Sequence, residues 1–280
     1  MEPHNHTIAI LRECKNKWER RCSITPTETK LCVAAGIKVI VQPSTNRCYT
    51  AKEFEAVGAV IQEDVSEASV IFGVKEVPIE NLLANKTYFF FSHTIKAQDY
   101  NMPLLDKLLE KNIRMVDFEC IREAKQPGKQ PQRLVAFGRY AGIAGAFDFL
   151  RGCGEFLLQK KYQTPLVFLG SSYMYEDYEA MKEALARIHK NILNGGIPIE
   201  QTPMVFAVTG TGRVAQGAIE VLELLPHVKV APSELREWLA VPENKSNNNQ
   251  IVISQFTSQD LAEHKDPSRE FSKADYYKNP

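Results

Sequence analysis

The chain lacks an excess of charge of either sign: 34 Lys and Arg stand against 34 Asp and Glu in 280 residues. With no net field there is no footprint for nucleic acid or for an anionic membrane surface. No apolar run approaches the ~18 residues needed to span a bilayer. Met1–Thr7 lacks the basic and apolar regions of a secretory signal, and no transit peptide is evident, so a cytoplasmic protein is expected. The six cysteines (Cys14, Cys22, Cys32, Cys48, Cys120 and Cys153) form no CxxC pair and no metal-ligand spacing. Reduced thiols in an intracellular compartment are the expectation. His4-Asn5-His6 has chelating residue types but sits at a chain end, where backbones fray, so no metal is expected.

What is present is a set of apolar, strand-like runs that end in ionisable residues. Thr7–Leu11 runs into Arg12-Glu13, and Ser69–Val74 into Lys75-Glu76. Thr87–Phe91 leads to His93 and Lys96, and Ile113–Val116 to Asp117 and Glu119. Runs of this length and composition, separated by helical stretches, read as buried parallel strands. Ligands of open α/β sheets bind beyond the carboxyl ends of the strands. Acidic and basic groups at that edge are therefore expected to converge on one crevice suited to a small, doubly charged substrate.

The length predicts two domains. The first, 1–138, alternates strand and helix. Thr25-Pro26-Thr27-Glu28 has capping-box spacing with proline at the first helical position, and Gly36 ends the helix. Ile37–Val41 is the second strand, and Thr50–Glu53 opens another helix that stops near Gly58. Asn101–Lys111 is an amphipathic helix. This series predicts a parallel sheet covered on both faces. Lys125–Gln132 reads as an exposed loop. The second domain, 139–280, begins with linking helices, Tyr140–Lys160 and Tyr175–Leu193. Small residues at Ala141, Gly142, Ala144, Gly145 and Ala146 allow close approach of either another backbone or a ligand. Asn194-Gly195-Gly196 ends the second helix. Met204–Val208 is then a strand, followed by a helix to Leu225, a strand at His227–Val230, a polar loop at Pro242–Asn249 and a strand at Ile251–Ser254. The fold class is thus α/β, with two Rossmann-like parallel-sheet domains, the second incomplete. No repeat is visible.

Gly210-Thr211-Gly212-Arg213-Val214-Ala215 follows an apolar strand and opens a helix, the context required of a dinucleotide fingerprint. The first glycine permits the tight turn, and the second lets backbone N–H groups approach a pyrophosphate at the helix N-terminus. The bland alternative is a structural strand-to-helix turn. NAD-type sites carry Asp or Glu about 20 residues further on. Val230-Ala231-Pro232-Ser233 has none, which points to NADP, with Ser233 as a donor and Lys229 as added charge.

Arg12–Pro26, with the segments Gly73–Glu76, Phe90–Gln98 and Ala136–Gly142, resembles the alanine dehydrogenase/transhydrogenase/saccharopine dehydrogenase superfamily. Together with Thr209–Gly217 they look like the lysine–ketoglutarate reductase half of bifunctional lysine-degrading enzymes, and Thr257–Pro267 is most similar to plant-type members. The resemblance implies condensation of L-lysine with 2-oxoglutarate and reduction by NADPH to saccharopine, with a saccharopine dehydrogenase half as a possible companion. An animal-like member would be mitochondrial. By position, Lys75 and His93 match an acid–base pair, and Arg21, Glu76, Lys96, Glu119 and Arg133 match substrate contacts. Relatives are expected to continue beyond Pro280, so the alternative is a truncated, non-catalytic binding or regulatory fragment.

Overall fold

The computed structural model of the protein describes residues 6–127, 131–266 and 268–279. Two units divide the chain, Met1–Ala136 and Phe137–Pro280. Both are α/β with parallel sheets.

In the first unit, β1 (Thr7–Ile10), β2 (Lys38–Val41), β3 (Val60–Ile61), β4 (Val70–Phe72), β5 (Thr87–Phe90) and β6 (Arg114–Asp117) form one sheet in the order β3-β2-β1-β4-β5-β6. Every pairing is parallel. Strand alternation sends successive side chains to opposite faces. Ala9, Ile40, Ile71, Tyr88 and Phe90 pack on one side with Leu104 and Leu108 of α3 (Met102–Glu110). Ile10, Val39 and Val41 pack on the other with Phe54. Phe54 belongs to α2 (Ala51–Glu55), and the partly buried Cys32 and Val33 of α1 (Pro26–Ala34) join the same cluster. The capping box at α2 is reciprocal: Thr50 Oγ1 accepts the Glu53 N–H at 3.4 Å, and Glu53 accepts the Thr50 N–H at 2.6 Å.

Two details differ from the sequence reading. The connection from β4 to β5 holds only a 3₁₀ turn, Ile79–Asn81, because Pro78 interrupts it and too few residues remain for a helix. Leu82 and Val77 plug the sheet face there instead. The two-residue β3 is too short to show a hydrophobic period. Of the loop expected at Lys125–Gln132, residues 128–130 lie outside the described residues; Lys125–Pro127 are exposed.

The second unit is built on α4 (Gly138–Gln159), α5 (Tyr178–Leu193), β7 (Met204–Thr209), α6 (Arg213–Leu222), β8 (His227–Lys229), α7 (Leu235–Ala240), α8 (Pro242–Lys245), β9 (Ile251–Phe256), α9 (Ser258–Leu261) and α10 (Lys273–Lys278). Its three strands are parallel in the order β7-β9-β8. The polar stretch read as a loop at 242–249 opens with α8, where Pro242 takes the first helical position. Phe147, Leu150, Leu185, Ile188, Val221, Ile251 and Ile253 share one core. Glu220 of α6 ties three helices together. Arg139 of α4 donates to it through Nε and Nη2 at 2.8 and 2.6 Å, and the Tyr178 hydroxyl of α5 donates at 2.9 Å. Burial, then that bond to Glu220, pushes the Tyr178 phenol up to about 12.

The small residues of α4 serve backbone packing at one position in particular. A Cβ at Gly142 would stand 2.0 Å from the Val214 carbonyl oxygen, and one at Gly217 2.0 Å from that of Arg139. The helices α4 and α6 therefore cross with backbones in contact, and Gly142 lies over the first turn of α6. Gly145 faces open space. No helix among the described residues is long and apolar enough to cross a membrane.

Gly142→Ala should cost about 1–3 kcal/mol or more through overpacking. Gly145→Ala should stabilise by roughly 0.5–1 kcal/mol through lost unfolded-state entropy. Urea denaturation of the two variants beside the parent checks both signs.

Candidate active site and nucleotide-binding turn

The strand order of the first unit reverses between β1 and β4, since the chain builds outward from β1 on one side and from β4 on the other. Two connections leave that point in opposite directions and open a crevice at the carboxyl edge. A cavity of about 330 Å³ lies there, lined among others by Arg12, Glu13, Gln42, Lys75, Glu76 and Asn81.

Glu13 crosses the reversal point. Its Oε1 accepts the Val74 N–H at 2.7 Å and its Oε2 the Lys75 N–H at 2.9 Å. Burial raises the Glu13 carboxyl above its ordinary range, although the two backbone N–H groups pull the other way. Arg21 pairs with Glu19 through Nε and Nη2 at 2.8 and 2.7 Å. Burial opposes ionisation of Glu19, but the Arg21 bonds outweigh it, and the nearby Lys75 charge adds to the lowering. The Lys75 ammonium makes no hydrogen bond or ion pair among the described residues.

Glu76 is the hub of the next group. Its Oε1 meets His93 Nδ1 at 2.9 Å, and its Oε2 meets the Lys15 ammonium at 3.3 Å. Burial disfavours the Glu76 carboxylate, yet His93 and Lys15 more than compensate and hold it below its usual range. His93 itself has φ 56°, a left-handed conformation that a non-glycine residue adopts at a cost. The preceding Ser92 is fully buried and donates through its N–H (3.1 Å) and its hydroxyl to Asp117 Oδ2 at the end of β6. The other oxygen of Asp117 accepts the Glu119 N–H at 2.7 Å. One carboxylate thus anchors both the His93 turn and Glu119. Glu119 in turn receives Lys96 at 3.3 Å and Arg133 at 2.8 Å.

The expected single crevice is therefore a row. Lys75 and Glu76 line the cavity, whereas His93, Lys96, Glu119 and Arg133 extend along the neighbouring strand ends. Four adjacent strands at about 4.8 Å spacing make that row roughly 14 Å long. Arg12, at the end of β1, is turned aside and forks onto Glu63 at 3.0 and 2.7 Å. The sequence placed Glu13 at the strand edge but assigned no role to Lys15 or Glu19. All three lie within the Arg12–Pro26 segment, where charge density was the available signal. Among the described residues no group of three or more His, Cys, Asp or Glu is placed to hold a metal ion; His4 and Asn5 lie outside them. All six cysteines are free thiols.

In the second unit, β7 ends at Thr209 and Gly210 turns with φ 88°, a conformation that favours glycine. Gly212 is the N-cap of α6, and no side chain caps that helix end. Ala215, the small residue in third place, is buried against its neighbours at 7% exposure. A Cβ built on Gly210 or Gly212 would meet nothing within 4 Å. The turn is open on the side a pyrophosphate would approach, so Gly210, Thr211, Gly212, Arg213 and Val214 fit a dinucleotide cradle. Ser233 does not lie beside it. It follows β8, and β9 stands between β8 and β7. The expectation for Ser233 assumed that the next strand in the chain is the next strand in the sheet. Lys229, read as added positive charge for the cofactor, is neutralised by Glu223.

A parallel sheet with reversed strand order and ionisable groups at its carboxyl edge, followed by a second parallel sheet with a glycine turn, is a Rossmann-like architecture. Residues 9–144 match the family Alanine dehydrogenase/PNT, N-terminal domain. The chain is 42% identical to alpha-aminoadipic semialdehyde synthase of Arabidopsis thaliana over 99% of its length, covering 27% of that protein. It is also 42% identical to the mitochondrial enzyme of that name from Mus musculus, over 84% of this chain and 25% of the mouse protein. Saccharopine dehydrogenase [NAD(+), L-lysine-forming] of Candida albicans is 28% identical over 82% of the chain and 61% of its own length. The chain thus spans about a quarter of the first two relatives. Among solved structures, an L-alanine dehydrogenase superposes with TM-score 0.53 at 16% identity, over 89% of this chain and 60% of its own. A transhydrogenase from Sinorhizobium meliloti gives 0.51 at 14%, over 90% and 69%. Both share the fold.

Glu76→Gln should cost about 1.5–3 kcal/mol near neutral pH by weakening a charge-assisted hydrogen bond. The folded-state Glu76 carboxyl lies below its unfolded value, so its contribution is present above the unfolded value and is lost as pH falls through the folded one. The gap between parent and variant in urea denaturation should therefore close in acid.

Proposed function

We propose that the polypeptide carrying this sequence condenses L-lysine with 2-oxoglutarate and reduces the product with NADPH to give saccharopine. The observation that carries this reading is the Glu76–His93 pair at the carboxyl edge of the sheet, with Lys75 lining the cavity at the point of strand reversal. The ε-amine of lysine, with an unperturbed pKa of about 10.4, must lose a proton before it attacks the ketone. The carbinolamine must then gain a proton to expel water and leave an imine. His93, oriented by Glu76 through Nδ1, presents Nε2 for such transfers. Lys75 is the cationic partner.

The carboxylates of the substrates need cationic partners. Lys96 and Arg133, which converge on Glu119, are candidates at one end of the row. Arg21 stands at the other end of the row. A row of roughly 14 Å suits a product with an amino-acid group at each end. When bound at the Gly210–Val214 turn, the nicotinamide nucleotide supplies the hydride. The names of the relatives support the reading, since those of alpha-aminoadipic semialdehyde synthase and saccharopine dehydrogenase belong to lysine chemistry.

Oxidation of NADPH by the polypeptide should require both lysine and 2-oxoglutarate. Lys75→Met and His93→Gln should each lower kcat by about 10²–10⁴-fold, the range of general acid–base groups, with nucleotide affinity unchanged. Turnover with pyruvate or alanine in place of these substrates would assign the site to the alanine dehydrogenase reaction instead.

A further inference from the structure

We propose that Gln255, at the carboxyl end of β9, reads the 2′ position of the adenosine ribose of the bound nucleotide. The inference rests on the nucleotide reading of the Gly210–Ala215 turn. In a strand–turn–helix unit, the ribose lies over the end of the strand beside the turn-bearing strand. Chain order leads to Val230–Ser233, but pairing leads elsewhere. β7 is hydrogen-bonded to β9 over six positions, from Met204↔Ile251 to Thr209↔Phe256. β8 pairs only with the far edge of β9, two strand spacings or about 10 Å from β7.

Gln255 is fastened to the glycine turn. Its Nε2 donates to the Gly210 carbonyl at 2.9 Å, and the Gly210 N–H donates to the Phe256 carbonyl at 2.7 Å. Its Oε1 has no hydrogen-bond partner among the described residues. The neighbouring Ser254 is fully buried and, by strand alternation, lies on the opposite face of β9 from Gln255. Asp260, the next carboxylate along the chain, is occupied at the start of α9, where it accepts the Thr257 N–H and hydroxyl, each at 2.7 Å. The residue at the end of β9 is therefore a neutral amide. An amide can bond to a ribose hydroxyl or to a phosphate and repels neither. A carboxylate in its place would accept from the ribose hydroxyls of NADH and repel the 2′-phosphate of NADPH.

Titration of the full chain with NADPH and with NADH, followed by nucleotide fluorescence at one ionic strength, tests the assignment. Gln255→Glu should weaken NADPH relative to NADH by about tenfold or more, and Gln255→Lys should move the ratio the opposite way. Ser233→Glu should leave the ratio unchanged. Opposite shifts from one position cannot come from a misfolded protein, which would bind neither nucleotide. An unchanged ratio in both Gln255 variants overturns the assignment, as does a Ser233→Glu shift equal to that of Gln255→Glu. Failure of the parent protein to bind either nucleotide overturns the nucleotide reading, and the assignment with it.

Discussion

The carboxylate of Glu13 bridges β1 and β4 at the only place in the first sheet where strand order reverses. Past the last ladder bond, the N–H groups of Val74 and Lys75 face a crevice. Leaving them without partners there would cost about 1–3 kcal/mol each. Glu13 satisfies both, and they in turn offset part of the cost of burying its charge. The clamp sets the backbone of Lys75, and one residue later that of Glu76. From Glu76 the order passes to His93 and Lys15.

The rest of the edge follows one electrostatic rule: half-buried carboxylates are met by cations or by backbone donors. Glu19 has Arg21, Glu76 has His93 and Lys15, and Glu119 has Lys96 and Arg133. Asp117 binds the backbone of Ser92 and Glu119 and so holds two of these sets in register. Left-handed backbone at His93 and Ala97 is sustained between those anchors. Strain of this kind persists where surrounding bonds over-determine it.

In the second unit the constraint is steric. Backbone contact between α4 and α6 at Gly142 and Gly217 seats the helix that follows the glycine turn. The turn is then free of side chains on its open side, and its Gly210 is bonded to β9 rather than to β8.

Much of this was readable in one dimension because it depends on local chemistry. Strand ends, capping boxes and the Gly210–Ala215 turn are set by residues within a few positions of one another. So was the presence of Lys75, Glu76, His93, Lys96 and Glu119 at the carboxyl edge, since parallel strands bring their ends to the same side. Which of these groups meet was not readable. Glu13 reaches across 61 and 62 positions to its partners, and Arg139 reaches 81 positions to Glu220. The neighbour of β7 was equally hidden. An intervening segment with two short helices separates β8 from β9, and either strand has the apolar pattern to pair with β7. Local residue patterns by themselves determined the elements and the chemistry at their ends. Only the tertiary structure decided the pairing, because pairing is settled by burial and hydrogen bonding between segments far apart in the chain.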